Sequence, residues 1–186
     1  MTAIQTLLDL QRAQLRHDEA YHQDILVLDT ARRVKHMTLH NAKYSGRFIA
    51  AEEDGDAQLF AATLTDAFVI ALATANIFAQ NLSKTLPEDK TDSLGLVELG
   101  QGLANQEAPT GSFSRRYAGI AGEMAKACES LDHLEDYPFR SRLLKANAEL
   151  TQILIREAAI RQIDITASYK ARIMDVESRS ACQLFK

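Results

Sequence analysis

The sequence predicts an all-α fold, in which five or six helices form a bundle within a single domain at residues 1–186. Helix-favouring residues such as Ala, Leu, Glu and Lys are abundant, whereas only three prolines interrupt the chain. Apolar residues recur every three or four positions along most of the sequence, which is the spacing of one helix face. A chain of 186 residues is also long enough to bury a large shared core.

The first two helices are predicted from apolar spacing and from a capping residue. The segment TLLDLQRAQL places apolar residues on one face, so we expect a helix to about residue 20. A second helix begins near Ala31, because Asp29 or Thr30 can accept hydrogen bonds from the unpaired amides of its first turn. Gly46 and the polar sequence EEDGD after Ala51 predict where this helix ends.

The third helix, at about residues 57–83, carries a single formal charge, Asp66. A helix that is apolar all round is buried on all sides, either in a protein core or in a membrane. Polar residues such as Thr63, Thr65 and Asn76 break up any apolar run of about twenty residues, the length that a membrane span needs. The pattern therefore favours the central helix of a soluble bundle.

A long loop is predicted at about residues 84–114, which contain two of the three prolines and four of the eight glycines. Within it, LGLVELGQGLANQ can form a short helix. Helical spacing returns from Tyr117 to Leu131, stops near Pro138 and resumes to Ala158. The amphipathic segment ITASYKARIMDVESRSACQLF closes the chain.

The sequence leaves open whether the bundle is a divergent internal duplication. The dipeptides Ala42-Lys43 and Ala125-Lys126 lie 83 positions apart, and the same offset carries Asp66 onto Glu149. Further identities at this offset are few, about what two Ala-rich amphipathic helices share by chance.

Composition limits the classes of function. A formal charge of −4 argues against a nucleic-acid binder with a broad basic surface. Cys128 and Cys182 lack the spacing of a metal site, so we expect reduced thiols. The N-terminal segment also lacks the pattern of a signal peptide, and cytoplasmic localisation without a membrane partner is the expectation.

One face of the second helix carries a basic stripe. Its members, spaced three or four residues apart, are Arg32, His36, His40, Lys43 and Arg47. Charges of one sign repel, so the stripe either lies in open water or faces negative groups. Two kinds of negative group remain open: the phosphates of a ligand, which Arg and Lys bind well, and the acidic residues Glu123, Glu129 and Asp132 of a neighbouring helix.

Three carboxylates are candidate ligands for a divalent metal ion. A buried carboxylate such as Asp66 is costly unless it meets a cation, which is either an Arg or Lys of a neighbouring helix or Mg²⁺ or Mn²⁺. Glu123 and Glu149 lie at the margins of their apolar faces, and a helical hairpin around Tyr137-Pro138 brings them near each other. The sequence contains no phosphate loop, nucleophile elbow or HExxH zinc motif.

Four segments together resemble the MazG-like all-α nucleoside triphosphate pyrophosphohydrolases: LLDLQRAQL, AKYSGRF, TLTDAFVIALATANIFAQNL and IDITASYKARIMDVESR. In that superfamily an EExxE motif on one helix and ExxD on the next bind Mg²⁺. The resemblance places Asp66 at the Asp of ExxD. Thr63 stands where the Glu of ExxD is expected, and the preceding helix offers His40, Asn41 and Tyr44 in place of EExxE.

The resemblance implies a homodimeric enzyme that uses Mg²⁺ or Mn²⁺ to cleave nucleoside triphosphates to monophosphate and pyrophosphate. Its metal ligands would be Asp66, Glu123 and Glu149, and its phosphate-binding residues Arg32, His36, His40 and Lys43. The incomplete acidic motif favours an alternative, a non-catalytic MazG-like helical module that binds an anionic ligand, such as a phosphorylated small molecule, or a protein partner.

Overall fold

The computed structural model describes residues 1–87, 95–105 and 111–183 of the chain, with side chains up to residue 180. These residues form α-helices and one 3-10 turn, which confirms the predicted all-α fold. The helices are α1 (Ala3–Tyr21), α2 (Gln23–Leu26), α3 (Thr30–Asp54), α4 (Ala57–Ile77), α5 (Gly95–Ala104), α6 (Phe113–Asp132), α7 (Phe139–Ile160) and α8 (Ile165–Gln183).

Two helical hairpins make the centre of the bundle. The first consists of α3 and α4 and the second of α6 and α7, and they pack with α3 against α6 and α4 against α7. Helices α1 and α8 pack on α4, while α5 packs on α7 and α1. The buried core runs through all these contacts, and its largest fully buried side chains include Tyr117, Tyr169 and Phe48.

Helix α4 is the apolar centre that the sequence predicts. By length and composition it is able to cross a membrane, with a mean hydropathy of 1.6 in its most apolar 18-residue window. Of that window, 61% is buried inside the protein, where Phe60, Leu64 and Phe68 contact neighbouring helices. Burial within the bundle therefore accounts for its apolar composition.

The observed ends of the helices confirm some predictions and correct others. Asp29 caps α3 by accepting a hydrogen bond of 2.9 Å from the Arg32 amide, and Gly55 ends the helix with a left-handed φ of 66°. The short helix expected within residues 84–114 is α5. The predicted count of five or six helices was too low, since the described residues form eight α-helices.

The third helix was predicted to continue to residue 83, but α4 ends at Ile77. Gln11 of α1 fixes the turn that follows. Its side chain donates to the Gln80 carbonyl at 2.9 Å and accepts from the Leu82 amide at 3.0 Å. These bonds satisfy the Gln80 carbonyl and the Leu82 amide, which a longer helix would otherwise have satisfied. Residues 82–85 then form the 3-10 turn.

Candidate functional site

A cavity of about 200 Å³, partly open to solvent, lies between α1, α2, α3, α4 and α8. Its apolar wall consists of Ile25, Leu26, Met37, Val69, Ile70, Ala73, Ile77, Ile173 and Val176. Its polar lining consists of Gln14, His17, Asp18, His22, Arg33, His36, His40, Tyr44, Asp66 and Arg172. An apolar wall with a few convergent polar groups is the usual composition of a small-molecule site.

The α3–α4 hairpin sets the long axis of the cavity. Because the two helices are antiparallel and joined by a short turn, Tyr44 and Asp66 lie at one end of the cavity, and Arg33 and Ile77 lie at the other. Eleven residues of helix separate the two ends, which is about 16 Å at 1.5 Å per residue. The cavity is therefore an elongated slot with a polar group of residues at each end.

At the first end, Asp66 is held by an arginine of α8. The Arg172 Nε donates to Asp66 Oδ1 at 2.6 Å, and its Nη1 lies 3.1 Å from Asp175 Oδ2. The Asp66 side chain is 18% exposed. The carboxylate predicted to need a cation therefore has one from the protein itself, and the cavity lies beside this ion pair.

Two histidines of α3 line the slot between its ends. His40 Nδ1 lies 3.2 Å from Lys43 Nζ, and His40 Nε2 lies 3.2 Å from His36 Nε2. An ammonium group only donates, so His40 Nδ1 accepts, and the ring proton is on Nε2, which donates to His36. Burial, reinforced by the charge of Lys43, lowers the pKa of His40 to about 4. His40 is therefore neutral at pH 7.

At the second end, two buried polar atoms lack a hydrogen-bond partner among the described residues. They are Gln14 Oε1 and Arg33 Nε. Gln14 is only 1% exposed, and its Nε2 donates to Asp18 Oδ1 at 2.8 Å. Burial is the main cause that raises the pKa of Asp18. Unpaired buried polar groups are unfavourable, so this end is suited to a polar molecule that supplies the missing partners.

The predicted phosphate-binding residues divide between the cavity and the surface. His36 and His40 line the cavity. Arg32 is exposed, 3.4 Å from Asp29, and Lys43 is exposed beside His40. Arg33 occupies the cavity wall instead of Arg32.

Sequence reasoning missed Arg33, Gln14, Asp18 and Arg172. A signal for the first was present, because Arg33 is three or four residues from His36 and Met37 and so shares their face. Gln14 and Asp18 likewise lie four residues apart on α1, along the face that buries Leu7 and Leu10. Arg172 had no comparable signal, since its partner is 106 residues away.

The predicted metal ligands lie in two separate places. Asp66 lines the first cavity, whereas Glu123 and Glu149 line a groove of about 470 Å³ between α6 and α7. Glu149 Oε1 lies 3.3 Å from Arg116 Nη2. Within residues 1–87, 95–105 and 111–180, no three His, Cys, Asp or Glu side chains are arranged to hold a metal ion. The metal site stays a prediction.

The acidic residues of α6 are also partnered, but by lysines outside the basic stripe. Asp132 forms an ion pair with Lys35 of α3, and Glu129 lies 3.1 Å from Lys126. Contact between α3 and the acidic margin of α6 therefore exists, and it leaves the two cavity histidines free of that margin.

The cavity and the groove use corresponding positions of the two hairpins. Five pairs that line them are separated by 83 residues: Arg33 and Arg116, His36 and Gly119, Met37 and Ile120, His40 and Glu123, and Asp66 and Glu149. The same separation joins Asn41 to Met124, whose Nδ2 and Sδ atoms are 3.5 Å apart between α3 and α6. The cavity differs from the groove because α1, α2 and α8 cover it.

Comparison of the chain with protein-family models, with curated proteins and with solved structures gave no match. The class that the fold and the site define is thus an all-α bundle with a covered, amphipathic cavity on one of its hairpins, and function has to be argued from that cavity.

Proposed function

We propose that this protein is a helical binding module that holds a small anionic ligand in the cavity between α1, α3, α4 and α8. The observation that carries the proposal is the Arg33 guanidinium, whose Nε is buried in the cavity wall without a partner among the described residues. A carboxylate or phosphate oxygen would accept its hydrogen bond and supply the opposite charge.

The rest of the cavity supports an anion without demanding a metal ion. At the far end, Arg172 already neutralises Asp66. His40 is neutral and carries no charge that would oppose an anion. A volume of about 200 Å³ lies below the roughly 300–1,000 Å³ of sites for drug-sized molecules, so the ligand is small.

Calorimetric titration of the wild-type chain with 4-methylpentanoate and with inorganic phosphate tests this proposal. We expect binding of at least one anion, and a loss of about tenfold or more in Arg33→Gln, since a hydrogen bond to a charged group contributes about 1.5–3 kcal/mol. Arg32→Gln is the matched control, because it removes the same charge from the exposed neighbouring position. Equal affinities of the two variants for the anion would refute the proposal.

A metal-dependent nucleoside triphosphate pyrophosphohydrolase is the second candidate, favoured by the position of Asp66 in the same cavity as His36 and His40. The described side chains do not fit Mg²⁺ or Mn²⁺, because Asp66 Oδ1 is bonded to Arg172 and Glu123 and Glu149 lie in the groove. We therefore derive no metal-dependent step. Pyrophosphate release from nucleoside triphosphates with either ion, abolished by Asp66→Asn, would restore this candidate.

The MazG-like resemblance, the homodimer and the cytoplasmic localisation stay proposals on the same footing. We also infer that the two hairpins descend from one duplicated hairpin. Support comes from the corresponding positions of Arg33 and Arg116, which line the cavity and the groove, and from the packing of α3 on α6 and α4 on α7.

A further inference from the structure

The unpaired groups at the second end of the cavity are of opposite kinds. Gln14 Oε1 is an acceptor and Arg33 Nε is a donor, both are shielded from solvent, and both residues line the cavity. A carboxylate supplies an acceptor for Arg33 and no donor for Gln14. A ligand that satisfies both atoms must donate a hydrogen bond at one point of its head group and accept one at another.

The orientation of the Gln14 amide follows from its neighbour. Its Nε2 donates to Asp18 Oδ1 at 2.8 Å, and an ionised carboxylate only accepts, so the amide oxygen is the atom left over. Asp18 itself is partly buried, and burial raises its pKa by more than the hydrogen bond from Gln14 and the nearby charge of Arg33 lower it. A donor with a positive charge suits both Gln14 Oε1 and Asp18.

Other titratable groups at this end do not remove that preference. His17 Nδ1 lies 3.1 Å from Glu177 Oε1, so this ring is engaged with α8. His22 and the pair His36 and His40 also line the cavity. Among the described lining residues near Gln14, only Arg33 carries a fixed positive charge and only Asp18 a carboxylate.

The middle of the slot is aliphatic. Val69, Ile70 and Ala73 of α4 face Ile173 and Val176 of α8 across it. The far end is closed by the ion pair of Asp66 and Arg172. The part of the ligand beyond its head group is therefore short and apolar, since no further unpaired polar atom of the described lining awaits a second charged group.

We propose that the ligand is a zwitterion with a branched aliphatic tail, that is, an α-amino acid of about the size of leucine. Its ammonium group donates to Gln14 Oε1 and faces Asp18, its carboxylate accepts from Arg33 Nε, and its side chain lies between α4 and α8. This inference rests on the proposed anion-binding function and adds the second charge to it.

Three compounds that share the branched 3-methylbutyl chain of leucine test the inference by calorimetry on the full chain. L-leucine carries both charges, 4-methylpentanoate lacks the ammonium group, and 3-methylbutylamine lacks the carboxylate. We expect L-leucine to bind at least tenfold more tightly than either of the others. If 4-methylpentanoate binds as tightly as leucine, the zwitterion is wrong while the anion-binding proposal stands. If none of the three binds, the zwitterion is wrong, and anion binding is wrong as well unless inorganic phosphate binds.

Gln14→Met gives a second measurement, because it removes the unpaired oxygen at nearly constant volume. We expect about tenfold weaker binding of L-leucine and unchanged binding of 4-methylpentanoate, which serves as the internal control for folding of the variant. An equal loss for both ligands would mean that Gln14 only shapes the cavity, and would overturn its assignment to the ammonium group. Were the variant to unfold, the three-compound comparison on the wild type still decides the question.

Discussion

At the scale of single residues, the ion pair between Asp66 and Arg172 joins α8 to the centre of the bundle. The Nε–Oδ1 distance is 2.6 Å, and the Asp66 side chain is mostly shielded from water. Arg172 also approaches Asp175 on its own helix. The Asp66 carboxylate is less exposed than the Arg172 guanidinium. Removal of Arg172 alone should therefore lower the free energy of unfolding more than removal of both charged groups together.

Arg172→Gln is therefore expected to lower the free energy of unfolding by about 1.5–3 kcal/mol, the range for a hydrogen bond to a charged group. The double variant with Asp66→Asn should recover part of that loss, since no unpaired carboxylate then stays in the wall. Urea unfolding of the wild type, both single variants and the double variant measures the coupling. If the losses of the two single variants add up to the loss of the double variant, Asp66 and Arg172 have no coupling energy and this prediction is wrong.

At the scale of residues, the sequence predicts that Asp66 needs a cation but does not identify Arg172 as that cation. One carboxylate in an apolar helix is visible in the sequence, whereas the approach of α8 depends on the packing of the whole chain. The sequence analysis singled out Arg32 and missed Arg33, which lines the cavity. The two differ by one position, about 100° around the helix, and that rotation separates the surface from the cavity.

At the scale of elements, helix α5 lies unusually close to α7 at a glycine. A Cβ added to Gly100 would lie 2.6 Å from the Ile155 carbonyl oxygen and 2.8 Å from the Ala159 Cβ. Neither neighbour is the flexible end of a long side chain, so the two helices would have to move apart. Glycine thus sets the distance between these elements.

Gly100→Ala should lower the free energy of unfolding by about 1–3 kcal/mol through overpacking, even though Ala favours a helix. Gly122→Ala, at an exposed position of α6, is the matched control, because its Cβ would have nothing within 4 Å. That change should raise the free energy of unfolding by about 0.5–1 kcal/mol. Thermal and urea unfolding compare the two, and a gain in both variants would contradict the close packing of α5.

Element-scale prediction was most successful where the cause is local. The start of α3 follows from Asp29, which lies directly before the helix and caps it. The end of α4 was missed because Gln11, 71 residues before Leu82, fixes the turn, and a long-range hydrogen bond leaves no local pattern. The short helix α5 was visible from its own apolar spacing.

At the scale of the whole molecule, His40 links stability to pH. It faces His36, Lys43, Tyr44, Asp66 and His22, and burial is the main cause that lowers its pKa from 6.5 to about 4. Between these values the unfolded chain binds a proton that the folded chain does not. The free energy of unfolding therefore falls as the pH is lowered through this window, and the contribution of His40 is absent above it.

In His40→Gln this part of the acid destabilisation should disappear. Urea unfolding above and within the window measures it, with the wild type expected to lose more stability between the two pH values than the variant. His133→Gln is the control, because the His133 side chain is 65% exposed. The link to His40 fails if the three proteins lose stability equally on acidification.

The short helix α2 has a consequence for how molecules enter and leave. It contributes Ile25 and Leu26 to the cavity wall, yet none of its four residues is fully buried. Movement of α2 away from the cavity would expose little apolar surface, whereas separation of α3 from α4 would disrupt the core. Exchange of the proposed ligand at α2 is thus separable from the stability of the fold. Substitutions at residues 23–26 should change the residence time of that ligand and leave the melting temperature unchanged.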